Sequence, residues 1–190
     1  MKPLIGVLAL QGAFAAHEGA LRSLGAPTQQ VRTPADLARV DALVMPGGES
    51  TTMSRLLSTS GLFDEIAQRL GDGMPVFGTC AGMILLATSV ADGRPDQRSF
   101  SAIDVAVQRN GYGRQIDSFE TDLVVTGLDA PFHAMFIRAP KVLSAGPAVS
   151  ILATCDDVPV LARQDAVMVA SFHPELTGDA RLHAMFLQEV

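Results

Sequence analysis

The chain has 190 residues, 48% of them hydrophobic, which suits a globular protein with a sizeable core. Twenty acidic side chains against fourteen lysines and arginines give a net charge of -6, with no basic run, and this argues against a nucleic-acid partner. The amino terminus lacks a signal-peptide pattern, no apolar run is long enough for a bilayer span, and two distant cysteines without metal-ligand spacing fit a reducing cytosol.

Residues 4–10 form a continuous apolar run between Pro3 and Gln11-Gly12, the pattern of a strand buried on both faces of a parallel sheet. A helix is expected over 14–24, closed by Gly25, then short strands over 28–31 and 42–45. The second strand runs straight into Pro46-Gly47-Gly48-Glu49-Ser50. Helical segments follow over 51–57 and 62–70, and Gly71-Asp72-Gly73 turns the chain into an apolar strand through Met74, Val76 and Phe77. That strand enters Gly78-Thr79-Cys80-Ala81-Gly82, and a helix-like run over 83–87 leaves it. This β-α-β alternation predicts right-handed crossovers and a parallel sheet whose strand-end loops gather at one edge, so Gln11, Gly48 and Cys80 are expected to face one crevice. Residues 91–99 read as a surface loop. The second half offers strands at 103–108, 123–125, 135–137, 151–155, 158–162 and 167–172, then a closing helix over 179–188. The expected fold is α/β, a three-layer open and mostly parallel sheet with helices on both faces, extended by antiparallel strands in the second half. A single domain over 1–190 is expected.

Small residues around Cys80 let the backbone take the strained turn of a nucleophile elbow, exposing a thiol at which the next helix points its first N–H groups. The same turn can hold a buried structural thiol, because free cysteine is among the most buried residue types. Its partners must decide, and Ser171-Phe172-His173-Pro174-Glu175 supplies them directly after the apolar run 166–170. A carboxylate bonded to one imidazole nitrogen leaves the other free to take a proton from a thiol. Alone, His173 and Glu175 suit a surface histidine beside an acidic helix start better than a catalytic pair; in one chain with the cysteine turn the preference reverses to catalysis. Gly47 and Gly48 can bring a backbone N–H close to a reacting carbonyl oxygen, while Ser50 or Thr51 caps the helix that follows. No phosphate-loop lysine follows them, so a nucleotide site is rejected. The loop Arg109-Asn110-Gly111-Tyr112-Gly113-Arg114-Gln115 and the strand end Phe136-Ile137-Arg138-Ala139-Pro140 could each offer an arginine to a ligand carboxylate, or stand as solvated segments. His17, His133 and His183 lack ligand-like spacing and are read as structural or surface residues, and Cys155 as a core thiol. No metal or organic cofactor is indicated.

Cys80 in its elbow, with His173 and Glu175 near the carboxyl end and a Gly-Gly turn upstream, resembles the triad-type class I glutamine amidotransferases. Six ordered blocks narrow the match: 6–12 (Gly-Val-Leu-Ala-Leu-Gln-Gly), 46–53 (Pro-Gly-Gly-Glu-Ser-Thr-Thr-Met), 77–82 (Phe-Gly-Thr-Cys-Ala-Gly), 113–120 (Gly-Arg-Gln-Ile-Asp-Ser-Phe-Glu), 136–140 (Phe-Ile-Arg-Ala-Pro) and 171–176 (Ser-Phe-His-Pro-Glu-Leu). Together they resemble the glutaminase subunits of pyridoxal 5'-phosphate synthase over nearly the whole chain. The resemblance implies a Cys80–His173–Glu175 triad that hydrolyses L-glutamine to L-glutamate and ammonia through a γ-glutamyl thioester. It further implies that Gly48, Glu49, Ser50, Arg109, Ile137 and Arg138 hold glutamine, that the Gly48 and Ala81 amides hold the oxyanion, and that Gln11 lies near the partner interface. Ammonia would pass to a cytoplasmic synthase subunit that builds the vitamin. Residues 94–101 depart from the family pattern, and Tyr112 stands where Phe is commoner. Two other functions share the crevice: a stand-alone γ-glutamyl cysteine hydrolase, which needs no partner, and a non-catalytic binding or regulatory module, which needs no accessible thiolate.

Overall fold

Three of the first four strands, β1 (Ile5–Leu8), β3 (Ala42–Met45) and β4 (Val76–Thr79), are buried at every residue, as continuous apolar runs require when helices cover both faces of a sheet. The computed structural model describes residues 2–109, 111 and 118–190. Its main sheet has seven strands in the order β10 (Ser150–Cys155), β11 (Val158–Gln164), β12 (Val167–Ala170), β4, β3, β1, β2 (Thr28–Val31). The five from β12 to β2 are parallel, and β11 and β10 extend them antiparallel.

Alternate side chains of these strands feed two cores. Leu8, Leu43, Met45 and Val76 join Met53 and Leu57 of α3 (Ser50–Thr59), Leu62 and Ile66 of α4 (Leu62–Gly71) and Met83 of α5 (Ala81–Leu86). On the opposite face Ile5, Val7, Val44 and Phe77 meet Leu21 of α1 (Phe14–Ser23) and Leu182 and Phe186 of α6 (Arg181–Leu187). This is the expected three-layer architecture. A short α2 (Pro34–Leu37), capped reciprocally by Thr33 and Asp36, was not foreseen.

The second half is less uniform than its sequence suggested. Only β10 to β12 join the main sheet. β5 (Ala87–Val90), β6 (Ile103–Gln108) and β9 (Lys141–Ala145) form a three-stranded sheet, and β7 (Phe119–Leu123) pairs with β8 (Phe132–Phe136). The strands expected at 123–125 and 135–137 therefore begin earlier. Glu120 and Asp122, both bonded to His133 across the β7–β8 pair, give that segment its polar outer face and conceal the strand from a search for apolar runs. Cys155, expected in the core, is half-buried at the end of β10. Asn110 and 112–117, and with them most of the 113–120 block, lie outside the described residues.

Candidate active site

Cys80 occupies the turn between β4 and α5 with φ 50° and ψ -104°, a left-handed backbone that costs a non-glycine residue energy and persists only where neighbours impose it. The neighbours are on both sides: the Cys80 amide donates to the Ala170 carbonyl at 2.8 Å, and the Ile84 amide donates to the Cys80 carbonyl at 3.2 Å. Gly82 is needed because the helix leaves the turn pressed against β3; a Cβ there would lie 2.1 Å from the Met45 carbonyl oxygen. The thiol is less exposed than the elbow pattern led one to expect. Cys80 is 6% accessible and reaches solvent through a cavity of about 270 Å³.

β12 ends in register with β4, Ala170 opposite Thr79, so the segment that follows it passes beside Cys80. The His173 amide donates to the Met135 carbonyl at 2.9 Å, tying this segment to β8. Pro174 opens a single 3-10 turn, Pro174–Leu176, which folds Glu175 back so that its Oε1 lies 2.8 Å from His173 Nδ1. Burial alone would lower the proton affinity of His173, but hydrogen bonds to Cys80 and Glu175 outweigh it and raise the pKa to about 10. For Glu175 burial works upward, and the His173 hydrogen bond overrides it, holding the carboxyl below its usual range. The imidazole is thus held as a cation between sulfur and carboxylate.

The glycine turn after β3 forms the next wall. A Cβ on Gly47 would lie 2.5 Å from His173 Cε1 and 3.3 Å from Cys80 Cβ, so only glycine lets the turn lie against both. Gln11 Oε1 accepts the Glu49 amide at 3.1 Å and so braces the turn from β1. The cap of α3 is Glu49, rather than Ser50 or Thr51 as expected: its carboxylate accepts the Thr51 amide at 3.1 Å and the Thr52 amide and hydroxyl at 2.7 Å each. Partial burial of Glu49 is outweighed by these bonds, which hold its pKa at about 2. The same carboxylate meets Arg109 Nη2 at 2.8 Å.

Gly48, Glu49, Ser50, Cys80, Arg109, Ile137, Arg138 and His173 all line the one cavity, together with Gly12, Ala13, Gly47 and Ile84. Each comes from just beyond the end of a strand, from β1, β3, β4, β6, β8 and β12, with Ile84 one turn into α5. Arg138 is itself held at φ 45°. Ala81, Gln11 and Glu175 stand behind this lining: Ala81 opens α5, where first-turn amides lack intrahelical partners, and Glu175 backs His173.

Sequence reasoning missed two sets of supports. In the 91–99 loop, Gln97 Nε2 donates to Ser50 Oγ and Gln97 Oε1 accepts from Thr51 Oγ1, both at 3.2 Å, while Asp92 Oδ1 accepts the Arg109 amide at 2.6 Å. No spacing in the sequence marks those contacts. The second set is His17 and His183, both fully buried and 2.9 Å apart behind Glu175. Here a signal existed, since His17 lies one turn before Leu21 on the core face of α1. Among the described residues no group of three or more His, Cys, Asp or Glu side chains could hold a metal, and no helix is long and apolar enough to cross a membrane.

Known proteins are similar to this chain over nearly its whole length. A family model described as the SNO glutamine amidotransferase family matches residues 7–190. A protein of Mycobacteroides abscessus named pyridoxal 5'-phosphate synthase subunit PdxT is 52% identical over 190 residues, covering 100% of this chain and 98% of that protein. Its namesake in a Parafrankia species is 54% identical, over 99% and 93% of the two chains. A crystal structure described as a glutamine amidotransferase superposes with a TM-score of 0.92 at 47% identity, covering 97% of each chain.

Proposed function

Because the chain belongs to the SNO glutamine amidotransferase family, we propose that it is the glutaminase subunit of a cytoplasmic pyridoxal 5'-phosphate synthase, acting as one domain through Cys80, His173 and Glu175. The observation that carries this reading is the shared cavity, in which a thiol beside a cationic imidazole faces a carboxylate and two arginines on the far walls.

L-Glutamine carries opposite charges at its α end, and Glu49 with Arg109 and Arg138 offers opposite charges to match them. Ser50 and Ile137 line the space between. With the substrate so held, the Cys80 thiolate attacks the side-chain amide carbon, and the carbonyl π electrons move to oxygen. Amides of Gly48 and Ala81 receive the oxyanion, a contribution of about 10² to 10³ in rate for each such donor. As the C–N bond breaks, the His173 imidazolium gives its proton to the departing nitrogen, releasing ammonia and leaving a γ-glutamyl thioester. Neutral His173 then takes a proton from water, which adds to the thioester and expels the Cys80 thiolate with L-glutamate as product. Glu175 stabilises the charged imidazole before the first transfer and after the second.

Ammonia released into solvent is lost to biosynthesis, so its use requires a bound synthase. Gln11 holds the amide of Glu49, next to the Gly48 amide that the oxyanion needs, and a partner docking near Gln11 can orient that amide. The test is glutamate release by the chain alone and with its cognate synthase. Turnover is expected to rise on addition of the synthase and to vanish in Cys80→Ala. Undiminished turnover by Cys80→Ala would remove the nucleophile assignment, and equal turnover with and without the synthase would remove the partner gating while pointing to a stand-alone hydrolase.

A further inference from the structure

Glu175 presents its second oxygen to a wall that the triad chemistry leaves unused. Oε1 binds His173, but Oε2 is buried and accepts no well-formed hydrogen bond among the described residues. An ionised carboxylate oxygen left so loses its hydration without a replacement, which is costly. His17 Nε2 of α1 lies 3.4 Å from this oxygen and 3.2 Å from Thr79 Oγ1. His17 Nδ1 in turn lies 2.9 Å from Nε2 of His183 on α6, and His183 Nδ1 has no partner.

These contacts fix the protons. Burial lowers the pKa of His17 to about 4 and that of His183 to about 3, so each ring is neutral at pH 7, with one N–H and one bare nitrogen. The unpartnered nitrogen of His183 is most cheaply the bare one, so its Nε2–H donates to His17 Nδ1. That makes Nε2 the protonated nitrogen of His17, with Thr79 Oγ1 at 3.2 Å and Glu175 Oε2 at 3.4 Å as the oxygens beside it. We propose that His17 is a positioning residue for the active site: its Nε2–H anchors Glu175 through the oxygen that His173 does not use, and His183 sets the tautomer that makes this possible. The arrangement is a row of N–H donors converging on one carboxylate, two neutral rings from behind and His173 from in front. The titratable groups facing Glu175 are His173 from its own turn, His17 from α1 and, one ring further, His183 from α6; Cys80 faces His173 from β4. A carboxylate held in this way keeps its charge and its place beside His173, which in turn keeps the proton that accompanies the Cys80 thiolate.

The inference rests on the Cys80–His173–Glu175 reading above, but its readout needs no glutamine. The second-order rate of Cys80 alkylation by iodoacetamide is measured against pH on the full chain, with Cys155→Ser as background, and thermal unfolding checks the fold of each variant. His17→Leu removes the donor. Its alkylation midpoint is expected to move up by about one pH unit, and the rate at pH 7 to fall about tenfold. His17→Gln can place an amide N–H near the Nε2 position and should recover most of the shift, whereas His17→Asn, whose amide reaches only the Nδ1 position, should not. The glutamine and asparagine variants carry the test where the leucine variant fails to fold. An unmoved profile in folded His17→Leu, or glutamine and asparagine variants with equal profiles, overturns the proposal. If wild-type Cys80 alkylates readily but the synthase complex releases no glutamate from glutamine, the glutaminase reading fails and the positioning role stands.

Discussion

His173 and His17 touch the same carboxylate from opposite sides and are driven to opposite charge states. His173 faces the cavity, with a thiol on one side and Glu175 on the other, and its pKa is raised to about 10. His17 faces the core between α1 and α6, where burial outweighs the attraction of Glu175, and its pKa is lowered to about 4. What lies on the far side of each ring sets its charge: hydrogen bonds to Cys80 and Glu175 keep His173 protonated, and burial beside a neutral imidazole keeps His17 neutral.

The largest effect should come from removing the shared group. Glu175→Gln keeps the shape but takes the charge that supports His173, and kcat for glutamate release in the synthase complex is expected to fall about 10² to 10⁴-fold. A loss under tenfold would mean that the front ring does not depend on the carboxylate. Gly47→Ala attacks the front wall by displacement, since its Cβ would intrude on His173. A fall of about 10²-fold in kcat with an unchanged unfolding temperature is expected, as for a misplacement of about 1 Å, and full activity would show that the turn has slack. Glu49→Gln leaves the rings alone and removes a charge from the substrate wall, so KM for glutamine should rise about 10-fold or more with kcat changed less. The reverse split would place Glu49 in the chemical step.

The smallest effect is on stability, and it separates the rings directly. His17 and His183 bind protons more weakly folded than at their ordinary value of 6.5, so the unfolded state gains protons first and stability falls as pH drops from 6.5 toward 4. His173 binds its proton more tightly folded, so its contribution is complete below pH 6.5 and is lost as pH rises toward 10. Calorimetry should show the unfolding temperature highest near pH 6.5 and several degrees lower at pH 5 and pH 9. His17→Leu should make the acid side shallower, leaving the share that His183 contributes. An acid side unaffected by that change would mean that His17 is not the neutral ring described.

The front of the site was legible in the sequence and the back was not, for a physical reason. Gly47, Gly48 and Gly82 sit in turns whose backbone conformation or close approach demands glycine, so the turns that hold and face Cys80 leave local signatures at strand ends. His173 and Glu175 are two residues apart, and their pairing follows from one proline-led turn. His17, Thr79, Glu175 and His183 meet only through packing across 166 residues of sequence, and nothing local marks such a meeting. The fold divides in the same way. β1, β3 and β4 declare themselves as buried apolar runs, whereas β5 and β7 have polar outer faces, and β5, β7 and β9 are each exposed at two or more residues. The 91–99 loop, which departs from the family pattern in part, looks like solvated surface in the sequence yet braces Ser50 and Arg109 through Gln97 and Asp92.

Catalysis by Cys80 requires a covalent bond between its sulfur and the side-chain amide carbon of glutamine. Acid-quenched mass spectrometry of the synthase complex during turnover tests it directly. A γ-glutamyl group is expected on the peptide that contains Cys80, absent in Cys80→Ala. Glutamate formed at the wild-type rate by Cys80→Ala, with no adduct on any peptide, would contradict it.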